Sequence, residues 1–393
     1  MKAKVKYAAE GTKELMRNLR GLSGTDSEST EDGWEPENYA VANFPDLMEA
    51  SYRLLTHEVL IHGDYDADGL CATAIAKLGI PGAEIYIPSR EDGYGLTSES
   101  LLELSEDKLV LTVDCGISNL DDMQDAESEL GRKFIVTDHH EPPVANRVHA
   151  FPVVNPKAYD IGYNGLSGSG VAFFFLRQLA MQGNSAHTIQ LAAIGTMSDM
   201  MPVLQWNRPL IRTAVQSMKD NPCPAVKAMA KVCNINLRYI TEETLSWYFG
   251  PILNSAGRRG NLYAAAEMLY TEDEDRAYEI AKFLKKDKDK EKKELIKAAK
   301  DIKKKAPTMF FDGIVVVNGS NIPNISTGAT ANHVLHESGL PALVYGLRDN
   351  LCVASIRCSD TFDAPALIAG LVDMGYALDG GGHKGAAGLQ WTP

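Results

Sequence analysis

Residues 59–69 have the sequence VLIHGDYDADG, in which an apolar run is followed at once by three aspartates, Asp64, Asp66 and Asp68. The apolar run predicts a buried strand, and GLCATAIAKLG at 69–79 predicts the helix that follows it. The aspartates therefore occupy the turn between a strand and a helix. In a parallel α/β sheet, such turns lie at the carboxyl edge of the strands, where ligands bind.

Strand-like and helix-like segments continue to alternate after this turn. The strand-like segments are AEIYIPSR at 83–90, KLVLTVDCG at 108–116 and KFIVTDHHEPP at 133–143, and helices are predicted between them. Short apolar runs separated by helices indicate a parallel sheet with helices on both faces. Apolar residues at helical spacing between 165 and 247 predict a helical cap on this sheet.

The C-terminal part predicts a long helix and a second domain. Residues 272–305 begin acidic, end basic and contain no glycine or proline, so one connecting helix is expected within 271–307. Strand-like and helical segments then alternate again, which predicts a smaller α/β domain over 308–393. The predicted fold class is therefore α/β, with a parallel-sheet domain over 51–270.

The N-terminal residues 1–50 are predicted to be a segment with an acidic linker. Residues 21–51 are rich in Ser, Gly, Asp and Glu and contain no lysine or arginine. Such a composition is typical of a solvated tether.

Composition and charge argue against several classes of protein. With 393 residues, 45% hydrophobic and 23% charged, the chain suits a globular protein with more than one core. The net charge of −13 opposes non-specific coating of a polyanion, so nucleic acid would need a local basic groove.

The six cysteines form no Cys-x-x-Cys pair, which argues against a zinc knuckle or a disulfide framework. No apolar run approaches the roughly 20 residues of a membrane span, so a soluble, cytoplasmic protein is expected.

Acidic and imidazole groups follow other predicted strands and one helix. Asp114 follows one strand, Asp138, His139 and His140 follow the next, and Asp199 ends an apolar helix. Neighbouring parallel strands bring their ends close together, so these groups are expected to converge with the first aspartates. The negative charges of carboxylates that lie so close together would need a bound cation to balance them. A pair of Mn²⁺ or Mg²⁺ ions suits carboxylate and imidazole ligands, and the imidazole favours Mn²⁺.

Each group has a simpler alternative interpretation when it is taken alone. The first aspartates resemble part of a calcium loop, but a helix begins right after Gly69 and leaves no room for the roughly twelve-residue loop. A strand-end aspartate is commonly a helix cap, and a lone histidine is commonly a core residue. Four acid-bearing motifs together favour a metal site.

The motifs HGDYDADG, VDCG, TDHH and SD resemble, in order and spacing, the four motifs of the DHH phosphoesterase family. LSGSGVAF, GPILNSAGRRGNLYAAAEML and GGGHKGAAG also resemble segments of the RecJ branch of that family, and the similarity covers 59–389. The resemblance implies a DHH catalytic domain with a helical cap, a connecting helix, and a DHH-associated domain that binds substrate.

The same resemblance implies roles for individual residues. The residues that would hold two metal ions are Asp64, Asp66, Asp114, His139 and Asp199. Asp114 would bridge the ions, Asp68 and Asp138 would orient the ligands, and His140 would donate to the scissile phosphate. The substrate-contacting positions would be Arg90, Arg258, Arg357, Gly381, Gly382 and His383. For each arginine, an ordinary surface salt bridge is the alternative.

The RecJ resemblance implies a metal-dependent exodeoxyribonuclease that digests single-stranded DNA from 5′ to 3′ into mononucleotides during recombination and repair. The expected ligand is single-stranded DNA, and a single-stranded-DNA-binding protein or a helicase is a candidate partner. Ile252 and Asn332 stand where RecJ often has arginine, and the chain stops without an oligonucleotide-binding barrel, which predicts a weaker grip on long strands.

Two alternative functions stay open at this point. One is hydrolysis of oligoribonucleotides or cyclic dinucleotides, which the compact chain and the missing arginines favour. The other is a scaffold beside a replicative helicase, which the retention of every motif acid and both histidines opposes.

Overall fold

A computed structural model describes residues 46–89, 95–96, 107–142, 149–159, 163–181, 183, 185–305, 308–311, 313–320, 327–348, 350–359, 362–383 and 385–393. The chain divides into two compact units between Lys282 and Phe283. Within these described ranges, no helix is both long and apolar enough to cross a membrane.

The first unit is built on a five-stranded parallel sheet with the order β2-β1-β3-β4-β5. Its strands are β1 Val59–His62, β2 Glu84–Tyr86, β3 Leu109–Val113, β4 Lys133–Thr137 and β5 Val153–Val154. Every residue of β1 and β3 is buried, as the apolar runs predict for central parallel strands. The predicted α/β class with a parallel sheet is confirmed.

The register of the sheet aligns the carboxyl ends of β1, β3 and β4. His62 of β1 pairs with Thr112 of β3, and Val113 of β3 pairs with Thr137 of β4. The residues that follow β1, β3 and β4 therefore leave the sheet at one edge.

Helices complete the first unit. They are α1 Leu47–Thr56, α2 Ala67–Gly79, α3 Leu120–Leu130, α4 Gly168–Gln178, α5 Ser185–Ser198, α6 Asn207–Asp220, α7 Pro224–Val232, α8 Glu242–Thr244, α9 Gly250–Arg258 and α10 Leu262–Tyr270. A π-helix, Leu245–Phe249, joins α8 to α9. The helix α5 is buried from His187 to Thr196, as expected for a helix whose apolar residues are not confined to one face.

The helix α11, Glu274–Lys305, is continuous and spans the division between the units. The second unit contains a six-stranded mixed sheet with the order β10-β11-β9-β8-β7-β6. Its strands are β6 Thr308–Phe311, β7 Ile314–Asn318, β8 Ala342–Arg348, β9 Leu351–Arg357, β10 Asp379–His383 and β11 Ala386–Trp391, and its helices are α12 Thr327–Ser338 and α13 Ala364–Asp373. Ile356, Ile368 and Leu389 are among the residues of its buried core.

Candidate metal centre

The first aspartate turn is shaped by the beginning of α2. Asp66 is the N-cap of this helix, and its Oδ1 accepts hydrogen bonds from the backbone N–H groups of Asp68 and Gly69 at 2.9 and 3.0 Å. Asp64 is buried, and its Oδ1 has no hydrogen-bond partner among the described residues. A buried carboxylate oxygen without a partner is costly unless it is protonated or binds a cation.

Asp114 follows β3 in the left-handed backbone conformation, with a φ of 62°. This conformation is uncommon for a residue with a Cβ atom and tends to occur at functional sites. The backbone N–H of Asp114 donates to the Thr137 carbonyl at 2.9 Å, which fixes the end of β3 to the end of β4. The buried carboxylate places Oδ1 3.2 Å from His139 Nε2.

Asp138 organises the histidine pair. Its Oδ1 accepts hydrogen bonds from the backbone N–H groups of His139 and His140 at 2.7 and 3.2 Å, and its Oδ2 accepts one from Ile117 N–H at 3.0 Å. His140 Nδ1 lies 2.8 Å from Asp138 Oδ1. Burial is the largest single influence and opposes the charged forms of both side chains. The hydrogen bond between them and the charges of neighbouring groups together outweigh burial, which lowers the pKa of Asp138 and raises the pKa of His140. Asp138 therefore orients His140 and favours its imidazolium form.

Two cap helices, α4 and α5, contribute to the site in different ways: α4 holds Asp68 of α2, and α5 is followed by a further acid. The carboxylate of Asp68 accepts hydrogen bonds from the backbone N–H groups of Gly168 and Ser169, at the beginning of α4, at 2.7 and 3.1 Å. This is the favourable position for an anion at a helix N-terminus. Asp199 follows α5 directly, and its Oδ2 lies 3.7 Å from His139 Nε2.

Burial and mutual repulsion hinder ionisation of Asp64, Asp114 and Asp199. Burial, followed by the charge of Asp66, raises the pKa of Asp64 to about 8. Burial and neighbouring aspartates also raise the pKa of Asp199 to about 8 and move the pKa of Asp114 well above its ordinary value. Burial lowers the pKa of His139 and so favours the neutral imidazole that can bind a metal. A divalent cation would stabilise the ionised carboxylates and displace their protons.

The candidate ligand atoms form three overlapping groups, and within each group all atoms lie within 4.8 Å of one another. The groups are Asp64, Asp66 and Asp114; Asp114, His139 and His140; and Asp68, His139 and Asp199. All five ligands expected from the sequence belong to these groups. Carboxylate oxygens with imidazole nitrogens fit divalent ions of the Mn²⁺ and Mg²⁺ kind.

The geometry bears on the separate roles expected for three residues. Asp114 belongs to two of the groups, which suits a bridging position between two ions. Asp68 and His140 also belong to the groups, although the sequence indicated an orienting role for Asp68 and a phosphate-donating role for His140. The geometry therefore also allows Asp68 or His140 to bind a metal ion directly, which the sequence did not indicate.

The expected substrate-contacting residues that the structure describes belong to both units. Arg258 is the last residue of α9, whereas Gly381, Gly382 and His383 belong to β10 of the second unit. Arg90 lies outside the described residues.

Arg357 ends β9 of the second unit and is half-buried, with its pKa lowered by burial. One guanidinium nitrogen donates to the Ile356 carbonyl at 2.8 Å. A Cβ atom built on Gly328, near the beginning of α12, would lie 2.9 Å from another guanidinium nitrogen. A cation beside a helix N-terminus suits an anionic ligand.

Contacts from α9 to the first aspartate turn were not predicted. Asn254 Oδ1 accepts a hydrogen bond from Ala67 N–H at 3.0 Å, and a Cβ atom built on Gly257 would lie 2.1 Å from the Tyr65 carbonyl oxygen. The helix α9 therefore packs directly against the backbone of the turn. The segment NSAGRRG supported the family resemblance, but no local pattern indicates this contact, because Asn254 lies 187 positions from Ala67.

Asn155 is a second residue whose contacts with the site were not predicted. Its Nδ2 donates to the His140 carbonyl at 3.0 Å, and its Oδ1 accepts from the backbone N–H groups of Lys157 and Ala158 at 2.8 and 3.0 Å. Asn155 therefore ties the turn after β5 to the histidine pair after β4.

A family model and several known proteins match the part of the chain that carries most of these residues. A family model described as the DHH family, N-terminal domain, matches residues 58–196. The protein from Haemophilus influenzae named single-stranded-DNA-specific exonuclease RecJ is 31% identical over 296 residues, which cover 69% of this chain and 49% of that protein. The chain spans about half the length of the curated relatives it matches.

Two solved structures share the fold over most of this chain. The crystal structure of RecJ in complex with Mn²⁺ from Thermus thermophilus matches with a TM-score of 0.73 and 26% identity, over 88% of this chain and 52% of that chain. A crystal structure of exonuclease RecJ bound to manganese matches with a TM-score of 0.72 and 26% identity, over 88% of this chain and 90% of that chain.

Proposed function

We propose that this chain, which belongs to the DHH family by the match of residues 58–196, hydrolyses single-stranded DNA from the 5′ end. The proposed reaction depends on metal ions and releases mononucleotides. The convergence of Asp114 and Asp199 on His139 Nε2, at 3.2 and 3.7 Å, carries the proposal. The names of the RecJ relatives support the substrate, and the resemblance to the RecJ branch supports the polarity.

The proposed metal ligands are the acids and the imidazole that converge at the strand ends: Asp64, Asp66, Asp114, His139 and Asp199. When bound, a pair of divalent ions would activate a water molecule and neutralise charge on the scissile phosphate. We propose two ions and a preference for Mn²⁺, since imidazole nitrogen is present among the ligands. The manganese-bound RecJ structures support this choice.

The residues around the ligands would position the reacting groups. Asp138 holds His140 through the 2.8 Å contact at Nδ1 and raises its pKa. A protonated His140 suits donation of a hydrogen bond to a phosphate oxygen. The N-terminus of α4 fixes Asp68 through the backbone N–H groups of Gly168 and Ser169, and Asp68 would keep the adjacent ligands in place.

We assign contacts with the DNA backbone to cations and to glycines that allow close approach. Arg258 would act from the first unit, and Arg357, Gly381, Gly382 and His383 would act from the second, with Arg90 as a further predicted contact. The half-buried Arg357 beside α12 supports this assignment. Docking of a single-stranded-DNA-binding protein or a helicase, and a cytoplasmic location, stay predictions.

An end-label assay tests the proposed function. The full chain is incubated with Mn²⁺ and single-stranded DNA labelled at either end, beside matched RNA, duplex DNA and dinucleotides. Asp114→Asn is the control variant, because asparagine tolerates the left-handed backbone of that position but lacks the charge.

Each product pattern has a defined meaning. Early release of the 5′ label as a mononucleotide, from single-stranded DNA alone and lost in the control variant, would support the proposal. Activity restricted to dinucleotides or short RNA would replace it with an oligonucleotide phosphodiesterase. Absence of hydrolysis of every substrate would favour a scaffold.

A further inference from the structure

The turn after β5 brings a lysine to the edge of the sheet that carries the metal centre. β4 and β5 are parallel neighbours, with Thr137 paired to Val154, so the residues that follow both strands leave the sheet at the same edge. Asn155 then accepts the Lys157 N–H and donates to the His140 carbonyl. This pair of hydrogen bonds fixes the backbone of Lys157 relative to the histidine pair.

The ammonium group of Lys157 forms an ion pair with Glu141, the residue after His140. Nζ lies 3.2 Å from Glu141 Oε1, and the side chain of Glu141 is 81% exposed whereas that of Lys157 is 25% exposed. An ion pair with such an exposed partner contributes little to stability, because water and salt screen it. The ammonium group can therefore exchange Glu141 for another anion at low cost.

The contacts of Lys157 place its ammonium group beside the candidate ligands. Its ion-pair partner Glu141 directly follows the histidine pair, and Asn155 joins the Lys157 backbone to the His140 carbonyl. His140 in turn belongs to one ligand group with Asp114 and His139. An anion held by Lys157 would thus lie close to the metal ligands.

We propose that Lys157 is a substrate-contacting residue that leaves Glu141 to bind a backbone phosphate of the DNA beside the metal centre. This inference rests on the proposed function and adds a contact that the sequence motifs did not indicate. The chemical reason is electrostatic: a phosphodiester that approaches a cluster of aspartates gains from a lysine whose existing partner is weakly bound.

Binding of an oligonucleotide tests the contact without depending on catalysis. The probe is a fluorescein-labelled oligothymidylate with hydrolysis-resistant phosphorothioate links, and its anisotropy is measured with the full chain and Mn²⁺ over a range of salt concentrations. Lys157→Met is expected to raise Kd by roughly fivefold and to reduce the slope of log Kd against log salt by about 0.7, the value for one phosphate contact on a single strand. Lys157→Arg is expected to retain most of the affinity.

The matched control is Lys108→Met. Lys108 also forms an ion pair with an exposed glutamate, Glu84, but it lies just before β3, at the opposite, amino end of the strands. Its removal is expected to leave Kd and the salt slope unchanged. Equal effects of Lys157→Met and Lys108→Met would overturn the inference.

Glu141→Gln provides a test in the opposite direction. Removing the competing carboxylate is expected to lower Kd by about twofold to threefold. Most of this gain should vanish in the double variant Lys157→Met with Glu141→Gln, and a full gain without Lys157 would overturn the exchange.

The inference and the proposed function fail in different ways. A wild-type chain that hydrolyses single-stranded DNA, with no specific effect of Lys157 on binding, overturns the inference alone. A wild-type chain that binds no oligothymidylate even at low salt overturns the inference together with DNA as the substrate.

Discussion

Gly168, the first residue of α4, lies against the side chain of Asp114: a Cβ atom built on Gly168 would lie 2.0 Å from Asp114 Oδ1. The same glycine donates its backbone N–H to Asp68 Oδ2 at 2.7 Å. The N-terminus of α4 therefore approaches two acids of the candidate metal centre through one residue, and only glycine leaves room for both contacts.

Gly168→Ala is expected to reduce Mn²⁺ affinity and the proposed nuclease activity, with the rate falling by about a hundredfold, because the added methyl group must displace the Asp114 carboxylate. Gly170→Ala is the matched control on the same helix, since its Cβ atom would meet nothing closer than 3.5 Å. Calorimetric Mn²⁺ titration and steady-state kinetics compare the two variants. Equal Mn²⁺ affinity in both would contradict the role assigned to Gly168.

Asn254→Ala is expected to weaken Mn²⁺ binding by about tenfold, because Ala67 N–H loses its acceptor and the first aspartate turn becomes less fixed. Asn236→Ala is a suitable control, since Asn236 makes a similar bond to Arg238 N–H in an exposed part of the helical cap. The measurement is the Mn²⁺ concentration that gives half-maximal activity. A change in KM for DNA without a change in this concentration would argue against the positioning role.

The metal-free protein is expected to lose stability as the pH rises from about 4 to about 8. The folded chain raises the pKa of both Asp64 and Asp199 to about 8, above the ordinary value of about 4 in an unfolded chain. The folded state thus binds more protons, so this contribution is complete below the unfolded pKa and disappears as the pH passes the folded value. Thermal unfolding in EDTA across this window measures the effect.

Saturating Mn²⁺ should reduce that loss, since the ions take the place of the protons. Asp199→Asn, which cannot ionise, should flatten the pH dependence in EDTA. A melting temperature that rises with pH throughout the window in EDTA would contradict the assigned direction of the pKa shifts.

Asp138→Asn is expected to lower activity by about tenfold to a hundredfold and to move the alkaline limb of the pH–rate profile to lower pH. The reason is that Asp138 raises the pKa of His140 through the 2.8 Å contact, and asparagine would lack the charge. The pH dependence of kcat/KM checks the shift. A uniformly slower enzyme with an unchanged profile would show that His140 does not act in its protonated form.

The alternation of apolar runs and helices was sufficient to predict the parallel sheet and the position of its acids. β1 and β3 are buried on both faces and therefore carry continuous apolar sequences, and the acids follow directly. The uninterrupted helix α11 was equally evident, because residues 274–305 contain no glycine or proline. The same local signals brought Asp64, Asp114 and His139 into one candidate site.

Features that depend on distant contacts were not predictable in this way. β5 is two residues long and is a strand only through its pairing with β4. The left-handed backbone conformation at Asp114 was not predicted, because that position is an aspartate and not the glycine that usually indicates this conformation. The roles of Asn254 and Asn155 come from hydrogen bonds to other segments of the chain. No local periodicity encodes such partners.

Calorimetric titration of Mn²⁺ into the metal-stripped full chain tests the central claim most directly. The account predicts two ions bound per wild-type chain with release of protons, and loss of at least one ion in Asp114→Asn, because Asp114 belongs to two of the ligand groups. Wild-type protein that binds no Mn²⁺ stoichiometrically, or that binds equally after this substitution, would contradict the account.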